Sequence, residues 1–594
     1  MATNGKGRAL GQRALVLAAA LCLGALAPWA RAGCGCGGDG DDHDDDGVEL
    51  RETARQAVSL SRVASPNCTT VDVKLLGIND FHGQLSTGRT VAGRPVGSAA
   101  VLASYLLAAA RDYGDRAFLV HAGDHVGASP PASALLQDEP SIEFLNLMNK
   151  RLGGRGKKKW QVVGALGNHE FDEGRAELLR LLKGGNHPNG PFLEDPWGGS
   201  DVPYVCANVV DTATGKTLLP AFQIRSVAGI KIGFVGAVTK TTPTIVTPSG
   251  VAGLTFRDEA DAINDAVGAL RREGVETIVV LIHEGGSQSS FTGDTRAAGA
   301  VSGTIVSIVD RLDDAVDVVV SGHTHSFTNA VLTNAHGTPM LVTQSFSAST
   351  AYSDIRLTID CTTGDVTHAT AAVVTTWADD GPGLNPVAEI AQLAADAEAS
   401  VAPLVNQVIG TASAGLTRTQ NGAGESDLGN FIADAQRAAM GTDVAFMNPG
   451  GVRADLAAGT VTWGALFTIQ PFGNSLVQMD LTGAQIDDLL EQQWSVNRVL
   501  QPSGITYTWD AAQPVGQRVA LADIFVNGAP IDATATYTVT VNSFLAGGGD
   551  GFTVLLGGTS LVGGAVDLDA LIAYVQSLAQ PFGVPTGGRI TRLN

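Results

Sequence analysis

Short apolar runs recur through the first two thirds of the chain, and side chains able to bind metal follow several of them directly. Runs rich in β-branched residues lie at Val71–Ile78, Ala117–Val120, Gln161–Leu166, Lys231–Val238 and Thr277–Ile282, with helical stretches between several of them. This alternation predicts an α/β domain built on stacked or doubly wound sheets. Open α/β sheets place their ligand sites at the carboxyl ends of the strands. The polar residues after each run are therefore the first candidates for a functional site.

Five short polar motifs follow strand-like runs in this part of the chain. They are Asn79-Asp80-Phe81-His82-Gly83, His121-Ala122-Gly123-Asp124, Gly167-Asn168-His169-Glu170-Phe171-Asp172, Ile282-His283 and Gly322-His323-Thr324-His325. Each motif alone carries little information, because an Asp after a strand is often a helix cap and a single His is often an interior residue. The series as a whole indicates a dinuclear metal site. No zinc-ribbon pair of cysteines occurs, so the ligands should be histidine and oxygen donors.

The order Asp-x-His, Gly-Asp, Gly-Asn-His-Glu, a single His and Gly-His-x-His resembles the calcineurin-like metallophosphoesterase superfamily. The resemblance implies that one ion binds Asp80, His82 and His325, that a second binds Asn168, His283 and His323, and that Asp124 bridges both. Two such ions acidify a shared water, which makes hydroxide the expected nucleophile, and they neutralise charge on phosphate oxygens. The ligand types suit Zn, Mn, Co or Fe(II) without choosing among them.

His169 is the expected catalytic side chain that does not bind metal. It follows Asn168, itself counted among the catalytic residues, and would reach a phosphate oxygen or the leaving alkoxide. Asp172 would orient His169 and stabilise its charge if the segment opens a helix; the alternative role for Asp172 is a helix N-cap. His121, His125 and His336 match no ligand position of the pattern and are assigned to the surface or to positions behind the ligands.

A second domain is expected after the cluster Asp379-Asp380-Gly381-Pro382-Gly383. Apolar residues recur at helical spacing from Val387 to Val408, which predicts a linker helix. Beyond it the chain mixes a helical stretch at Asp427–Met440 with strand-like stretches near Val461–Trp463, Leu476–Leu481 and Thr536–Val541. The expected boundaries are a signal peptide at 1–32, an acidic tether at 33–70, a metallophosphoesterase domain at 71–376, a linker at 377–408 and a nucleotide-binding domain at 409–594.

Motifs in both parts resemble the exported 5′-nucleotidase and UDP-sugar hydrolase family over nearly the whole mature chain. They are Gly127-Ala128-Ser129-Pro130-Pro131, Asp138-Glu139-Pro140-Ser141, Glu425-Ser426-Asp427-Leu428-Gly429-Asn430, Asn448-Pro449-Gly450-Gly451-Val452-Arg453, Gln470-Pro471-Phe472-Gly473-Asn474 and the stretch 542–552. The resemblance implies a four-layer α/β/β/α metallophosphoesterase domain joined by a linker helix to an α+β substrate-binding domain.

The same resemblance implies a nucleotide site in the second domain. Phe472 and Phe544 would stack on the two faces of a base, although either ring alone is more often a core residue. Asp550 would accept hydrogen bonds from ribose hydroxyls. The remaining substrate residues are Asn448 near the base edge, Gly450 in the same site, and Arg418 and Arg453 on phosphates. Some relatives carry a second arginine where this chain has Gly422, so monophosphates are expected before diphosphates.

The expected activity is hydrolysis of nucleoside 5′-monophosphates, with UDP-sugar hydrolysis or 2′,3′-cyclic nucleotide phosphodiester cleavage as alternatives. A non-catalytic nucleotide-binding surface protein is disfavoured, because every ligand position holds a competent residue. A related sulfur-oxidation hydrolase shares the metal motifs, but Phe472 and Phe544 favour a nucleotide over a sulfonate. The 59 acidic and 38 basic residues give a net charge of -21, which argues against a nucleic-acid polymer as partner.

The N-terminus resembles a secretory signal peptide, with basic residues before the apolar run Ala14–Leu26 and Ala30-Arg31-Ala32 after it. The apolar run is shorter than the roughly 20 residues that span a bilayer. Export to the periplasm, the cell surface or the medium is therefore expected. Cys34 could attach a lipid, although Arg31 stands where such signals usually have an apolar residue. Neither a disulfide pairing nor an oligomeric state can be inferred from the sequence.

Overall fold

A computed structural model describes residues 69–297 and 300–594 of the chain. The signal-peptide-like segment, Cys34 and the acidic tether up to residue 68 lie outside the described residues, so the expectations for them remain predictions. The first strand begins at Thr70.

Two six-stranded sheets form the first part of the structure. In spatial order the first sheet contains Val366–Thr375, Ala351–Asp360, Thr70–Ile78, Ala117–Ala122, Val162–Ala165 and Tyr204–Val205. The second contains Phe327–Thr333, Pro339–Ser345, Val318–Ser321, Thr277–His283, Ile230–Val238 and Phe222–Val227. The central strands of each sheet run parallel, and antiparallel strands complete the edges. All five predicted strand-like runs are strands.

The two sheets pack face to face across an apolar core. Phe118, Trp160 and Phe234 contact one another there, with ring centroids 5.5 to 6.1 Å apart. Helices cover the outer faces because each presents an apolar stripe to its sheet. The first sheet is covered by Ala99–Ala110, Glu139–Arg151 and Gly174–Lys183, and the second by Glu259–Arg272 and Thr304–Val309. The expected four-layer α/β/β/α arrangement is confirmed.

A long helix, Ala388–Val405, follows the two six-stranded sheets, as the spacing of apolar residues predicted. The prediction was wrong at its end, because Val408 begins the strand Val408–Ala412, which pairs with Gly459–Thr462. A single valine at helical spacing fits a strand equally well, so spacing alone could not place this boundary.

Within the described residues no helix has the length and apolarity needed to cross a membrane.

The last part of the chain mixes sheets and helices, as expected for an α+β domain. A five-stranded sheet has the order Gln501–Ser503, Val444–Met447, Thr536–Asn542, Ser475–Thr482 and Thr559–Val566. A four-stranded sheet has the order Ala529–Pro530, Val519–Val526, Ile505–Asp510 and Ile590–Leu593. Its longer helices are Asp427–Met440, Trp463–Ile469, Gly483–Val496 and Asp567–Ser577. Trp463 was predicted in a strand but begins a helix, because Thr462 caps it by accepting a hydrogen bond from the Ala465 backbone N–H.

Short elements complete the described structure. Strand pairs are Arg89–Val91 with Arg94–Val96 and Val209–Asp211 with Leu254–Phe256. Single-turn helices are Pro131–Ala134, Thr242–Ile245 and Ser543–Ala546. 3₁₀ turns are Gly114–Arg116, His169–Phe171, Pro248–Val251, Gly381–Leu384, Pro449–Gly451, Gly549–Gly551 and Thr553–Gly557.

Candidate active site

The central parallel strands of both sheets end at the same edge, and the polar motifs converge there. Their side chains form two groups in which the candidate ligand atoms all lie within 4.8 Å of one another. The first group is Asp80, His82 and His325; the second is Asp124, His283 and His323. They agree with the ligand sets that the family resemblance implied for two ions, with Asp124, expected to bridge both, in the second group and the amide ligand Asn168 outside both.

In the first group, carboxylate and imidazole atoms face a common point. Asp80 Oδ1 lies 3.2 Å from His325 Nε2, and His82 Nε2 lies 3.1 Å from the same nitrogen. The other ring nitrogen of His82, Nδ1, donates to the Gly127 carbonyl at 2.8 Å. This bond orients the imidazole and leaves Nε2 free to bind a cation.

The second group repeats the same design. His283 Nε2 lies 3.0 Å from Asp124 Oδ2 and 3.1 Å from Asn168 Oδ1, while His283 Nδ1 donates to the Ala122 carbonyl at 2.8 Å. The same Oδ2 of Asp124 lies 3.7 Å from His82 Nε2 in the first group. The Asp124 carboxylate therefore faces both groups.

Five of the candidate ligands have positive φ angles, which non-glycine residues rarely adopt. The values are 49° for Asp80, 48° for His82, 49° for Asp124, 73° for His323 and 52° for His325. Such conformations cost free energy and persist where the surroundings impose them, often at functional sites. Here the Asp80 N–H donates to Gly123 and the His82 N–H donates to Asp124, at 3.1 and 2.9 Å. These bonds tie together the turns that follow two neighbouring strands.

The charges of the two groups suit divalent cations. Burial would raise the pKa of Asp80, but His325 and His283 lower it to about 2. Burial would lower the pKa of His283, but Asp124 and Asp80 raise it to about 10. Each buried carboxylate therefore favours a neighbouring positive charge, which a bound cation would supply in place of the proton on the imidazole. Mixed carboxylate, imidazole and amide donors, with ring orientation fixed by backbone carbonyls, fit two divalent ions of the transition-metal type.

Glu170 supports this site, a role that the sequence analysis missed. Its buried carboxylate accepts backbone N–H bonds from Asp124, His125 and Gly167, at 2.9, 2.8 and 2.5 Å. Burial and the charge of Asp124 raise its pKa to about 7. Glu170 joins the turns that follow two adjacent strands. Its position in the Gly-Asn-His-Glu motif was the available signal.

The three unassigned histidines do not share one environment. His121 and His125 are buried, which agrees with the alternative of positions behind the ligands, and His125 Nε2 donates to the Ser141 carbonyl at 2.9 Å. Both belong to the interior behind Asp124. His336 is exposed and lies 3.1 Å from an Asp314 oxygen, as a surface assignment requires.

His169 and Asp172 form a close pair beside the candidate metal groups. His169 Nδ1 donates to Asp172 Oδ2 at 2.7 Å, and the His169 backbone N–H donates to Asp124 Oδ1 at 2.9 Å. Burial lowers the pKa of His169, but Asp172 and Asp124 raise it overall. The N-cap alternative for Asp172 is wrong, because the residue ends the turn His169–Phe171 and the following helix begins at Gly174.

One cavity connects this pair with the last part of the chain. Its walls near the candidate metal groups are Asn168, His169, Asp172 and His323, and the segment Ile245, Val246 and Thr247 forms a second wall. The opposite side consists of Asn448, Gly450, Gly451, Arg453, Phe472, Asn474, Arg498, Asn542, Phe544 and Asp550. Six of the seven predicted substrate residues line the cavity. The exception is Arg418, which is exposed and donates to the Val452 carbonyl at 3.3 Å.

Side chains from the two parts of the chain meet inside this cavity. The Phe472 ring stacks on the His169 ring with centroids 5.7 Å apart and an interplanar angle of 17°. The Arg453 guanidinium lies 5.8 Å from the Phe472 ring centroid. Asn448 Nδ2 donates to Asp550 Oδ2 at 2.9 Å, and Asn542 Nδ2 donates to Asn448 Oδ1 at 3.0 Å. Aromatic, cationic and carboxylate groups thus surround one space.

Comparison with known proteins identifies the family. Residues 73–327 match the family model of calcineurin-like phosphoesterases, and residues 408–557 match that of the 5′-nucleotidase C-terminal domain. Endonuclease YhcR of Bacillus subtilis is 34% identical over 533 residues, which cover 88% of this chain and 41% of that protein. The chain therefore spans less than half the length of that relative.

Two further proteins match over a larger share of their own length. Cell wall protein Lmo0130 of Listeria monocytogenes is 35% identical over 546 residues, covering 85% of this chain and 67% of that protein. The crystal structure of a 5′-nucleotidase precursor from Thermus thermophilus superimposes with a TM-score of 0.72 at 28% identity, covering 88% of this chain and 100% of that one. The chain belongs to the 5′-nucleotidase family of calcineurin-like phosphoesterases, and it is a metal-dependent hydrolase of phosphoester bonds.

Proposed function

We propose that this protein is an exported 5′-nucleotidase that releases phosphate from nucleoside 5′-monophosphates. The observation that supports this function best is a cavity whose lining combines the candidate metal ligands Asn168 and His323 and the side chain of His169 with the aromatic rings of Phe472 and Phe544. A nucleotide requires both kinds of group, because it has a phosphate at one end and a flat apolar base at the other. The substrate would span the cavity from end to end.

Two divalent ions would bind the phosphate end of the substrate. Asp80, His82 and His325 would hold one, Asn168, His283 and His323 the other, and Asp124 would contact both. When bound, such ions acidify a water and neutralise charge on phosphate oxygens. Arg453 lines the cavity on the opposite wall, and its guanidinium offers paired donors to phosphate oxygens. Arg418 lies outside the lining and would contact phosphate only after its side chain moves.

His169 would stabilise the leaving oxygen or a phosphate oxygen as charge develops there. The pair with Asp172 supports this role, because the carboxylate raises the pKa of the imidazole and fixes its orientation through Nδ1. The remaining nitrogen, Nε2, is the one available to substrate.

The nucleoside end would be bound by Phe472, Phe544 and Asp550. Aromatic rings offer stacking surface to any base, and an ionised carboxylate accepts hydrogen bonds from paired ribose hydroxyls. The bond from Asn448 holds the Asp550 carboxylate in place. Gly422 offers no side chain where some relatives carry a second arginine, which favours monophosphates over diphosphates.

Export is supported by three independent observations. The N-terminal sequence resembles a secretory signal peptide, Cys361 is disulfide-bonded, and one relative is a cell wall protein. Disulfides persist mainly in oxidising compartments outside the cytosol.

Truncation of either stacking ring should separate base recognition from chemistry. Phe472→Ala or Phe544→Ala should lower kcat/KM for AMP by about 5- to 150-fold, because stacking on an aromatic ring contributes roughly 1–3 kcal/mol per base. Ribose 5-phosphate has no base to stack, so its slower hydrolysis should change little. Phosphate release from both substrates is the measurement.

Phe525→Ala provides the matched control, since this ring is 37% exposed on another strand and does not line the cavity. It should leave both substrates unaffected. Phe544→Ala is the cleaner test of the two, because the Phe472 ring also stacks on His169. Equal losses for AMP and ribose 5-phosphate in the Phe544 variant would show that this ring maintains the site rather than binding the base.

A further inference from the structure

Arg498 is a cation at the nucleoside end of the cavity that belongs to none of the sequence motifs. It lines the same space as Phe544 and Asp550. The hydrogen bond that its guanidinium makes is to the neighbouring Asn497 carbonyl, at 3.2 Å. Across residues 69–297 and 300–594, no carboxylate oxygen lies within 4.0 Å of it. Most of its donors are therefore available to a ligand.

The fold holds Arg498 beside the loop that carries Asp550. The helix Gly483–Val496 ends at Asn497, whose φ is 54°, and the Arg498 N–H donates to the Gln493 carbonyl at 3.0 Å. A Cβ on Gly551 would lie 2.9 Å from Val496 Cγ1, so the end of this helix packs closely against the Asp550 loop.

Gln492, one turn earlier in the helix, also holds the helix against the loop that carries Asp550. Its Nε2 donates to Thr553 Oγ1 at 2.8 Å, and its Oε1 accepts from the Val554 N–H at 3.2 Å. The position of the Arg498 backbone relative to Asp550 is thus set by packing and by two side-chain hydrogen bonds.

The chemistry of Arg498 and Asp550 indicates which ligand group would bind beside them. Arg498 and Asp550 line the same cavity, and burial raises the pKa of Asp550 overall against smaller opposing effects of Asn448 and Arg498. Arg498 is exposed, and an exposed guanidinium gains little from a neutral acceptor that water can replace. A phosphate offers a charged, bidentate partner instead. In a chain with a net charge of -21, such a free cation favours an anionic ligand group.

We infer that Arg498 forms an anion subsite for a second phosphate, carried on the ribose 3′-oxygen of a nucleoside 5′-phosphate. This inference rests on the proposed function, which places the ribose at Asp550 and the 5′-phosphate at the metal end. The 3′-oxygen would then lie next to Asp550, and its substituent would share the cavity with Arg498. The substrate class would be nucleoside 3′,5′-bisphosphates or the 5′-terminal nucleotide of a short oligonucleotide, which share a 3′-phosphate group.

The test compares hydrolysis of AMP, adenosine 3′,5′-bisphosphate and the dinucleotide pApA by wild-type enzyme and R498Q. The ratio of kcat/KM for the bisphosphate to that for AMP should fall about 5- to 30-fold in R498Q, mainly through KM, as expected for loss of one charge-assisted phosphate contact. R498K should keep most of the ratio. Arg356→Gln, which removes an exposed arginine outside the cavity, should keep all of it.

Hydrolysis of pApA shows whether the subsite accepts a phosphodiester or only a terminal phosphate. A parallel fall for pApA supports a subsite that also accepts a phosphodiester, and a fall for the bisphosphate alone supports one specific for a terminal phosphate. An unchanged ratio would overturn the inference, whether AMP and the bisphosphate keep their wild-type kcat/KM or lose it equally. Wild-type values for both substrates would mean that Arg498 makes no contact, and equal losses would mean that it maintains the cavity.

Calorimetry separates this inference from the proposed function. If wild-type enzyme released no phosphate from AMP, the proposed function would fail. Binding of adenosine 3′,5′-bisphosphate to wild-type protein and to R498Q would still report directly on Arg498, and equal affinities would overturn the subsite.

Discussion

Removal of divalent ions by a chelator should abolish phosphate release from AMP and from ribose 5-phosphate alike. The reason is the composition of the phosphate end of the cavity. Asp80 and Asp124 are buried carboxylates surrounded by imidazoles, and among the described residues that line the cavity there is no nucleophilic serine or cysteine. Without ions, the lining keeps His169 and Arg453 but lacks the groups proposed to acidify the attacking water and to neutralise most of the charge that builds on phosphate oxygens. Addition of Mn, Co or Zn should restore activity.

The experiment requires metal content to be measured alongside turnover. Elemental analysis should find two ions per chain before chelation and none after it. Loss of activity toward both substrates distinguishes chelation from the ring truncations, which should lower the hydrolysis of AMP alone. Undiminished turnover in protein shown to be free of metal would refute the mechanism.

Much of this site could be predicted because its residues follow strands directly. Asp80 and Asp124 each come two residues after a buried strand, and His283 is the last residue of another. Apolar runs of that length can be recognised in a sequence, and the carboxyl ends of parallel strands meet at one edge of a sheet. The division of the metal ligands into two groups could not be predicted in this way. It depends on strand order, which brings His325 to Asp80 from a distant part of the chain, and only the family resemblance supplied it.

Residues that act through tertiary packing were missed. Glu170 joins two turns through backbone N–H groups, and nothing in its own sequence neighbourhood reveals which turns it will reach. Arg498 is placed beside Asp550 by a helix end that packs against a distant glycine, Val496 against Gly551. Element boundaries failed for a related reason. Val408 and Trp463 fit both helix and strand, and hydrogen bonds made by neighbouring segments decide between them.

His169→Ala should lower kcat for AMP by about 10²–10⁴-fold, the usual scale for a positioned proton donor or charge stabiliser. Its imidazole lines the cavity next to the candidate metal groups but belongs to neither of them. The variant should therefore keep both ions. Because the lost interaction forms as charge develops on the leaving oxygen, KM should change much less than kcat.

Asp172→Asn tests how the imidazole is prepared for that role. The carboxylate accepts from His169 Nδ1 at 2.7 Å and raises the pKa of the ring, so an amide would remove the charge while keeping a hydrogen-bonding partner. A loss of kcat in the same direction but smaller than that of His169→Ala is expected. If His169 acts as a protonated donor, its activity falls as pH rises through its pKa in the enzyme. Asp172→Asn lowers that pKa and should move this alkaline limb to lower pH.

Metal content decides between the two roles open to His169. His336→Ala is the matched control, since His336 is an exposed histidine paired with Asp314 away from the cavity, and it should leave kcat and metal content unchanged. One ion missing from purified His169→Ala protein would mean that His169 is a ligand. Retention of both ions with wild-type kcat would mean that the ring serves only to stack against Phe472, whose centroid lies 5.7 Å away. Retention of both ions with a kcat lowered in both AMP and ribose 5-phosphate is the result that a group acting on the phosphate requires.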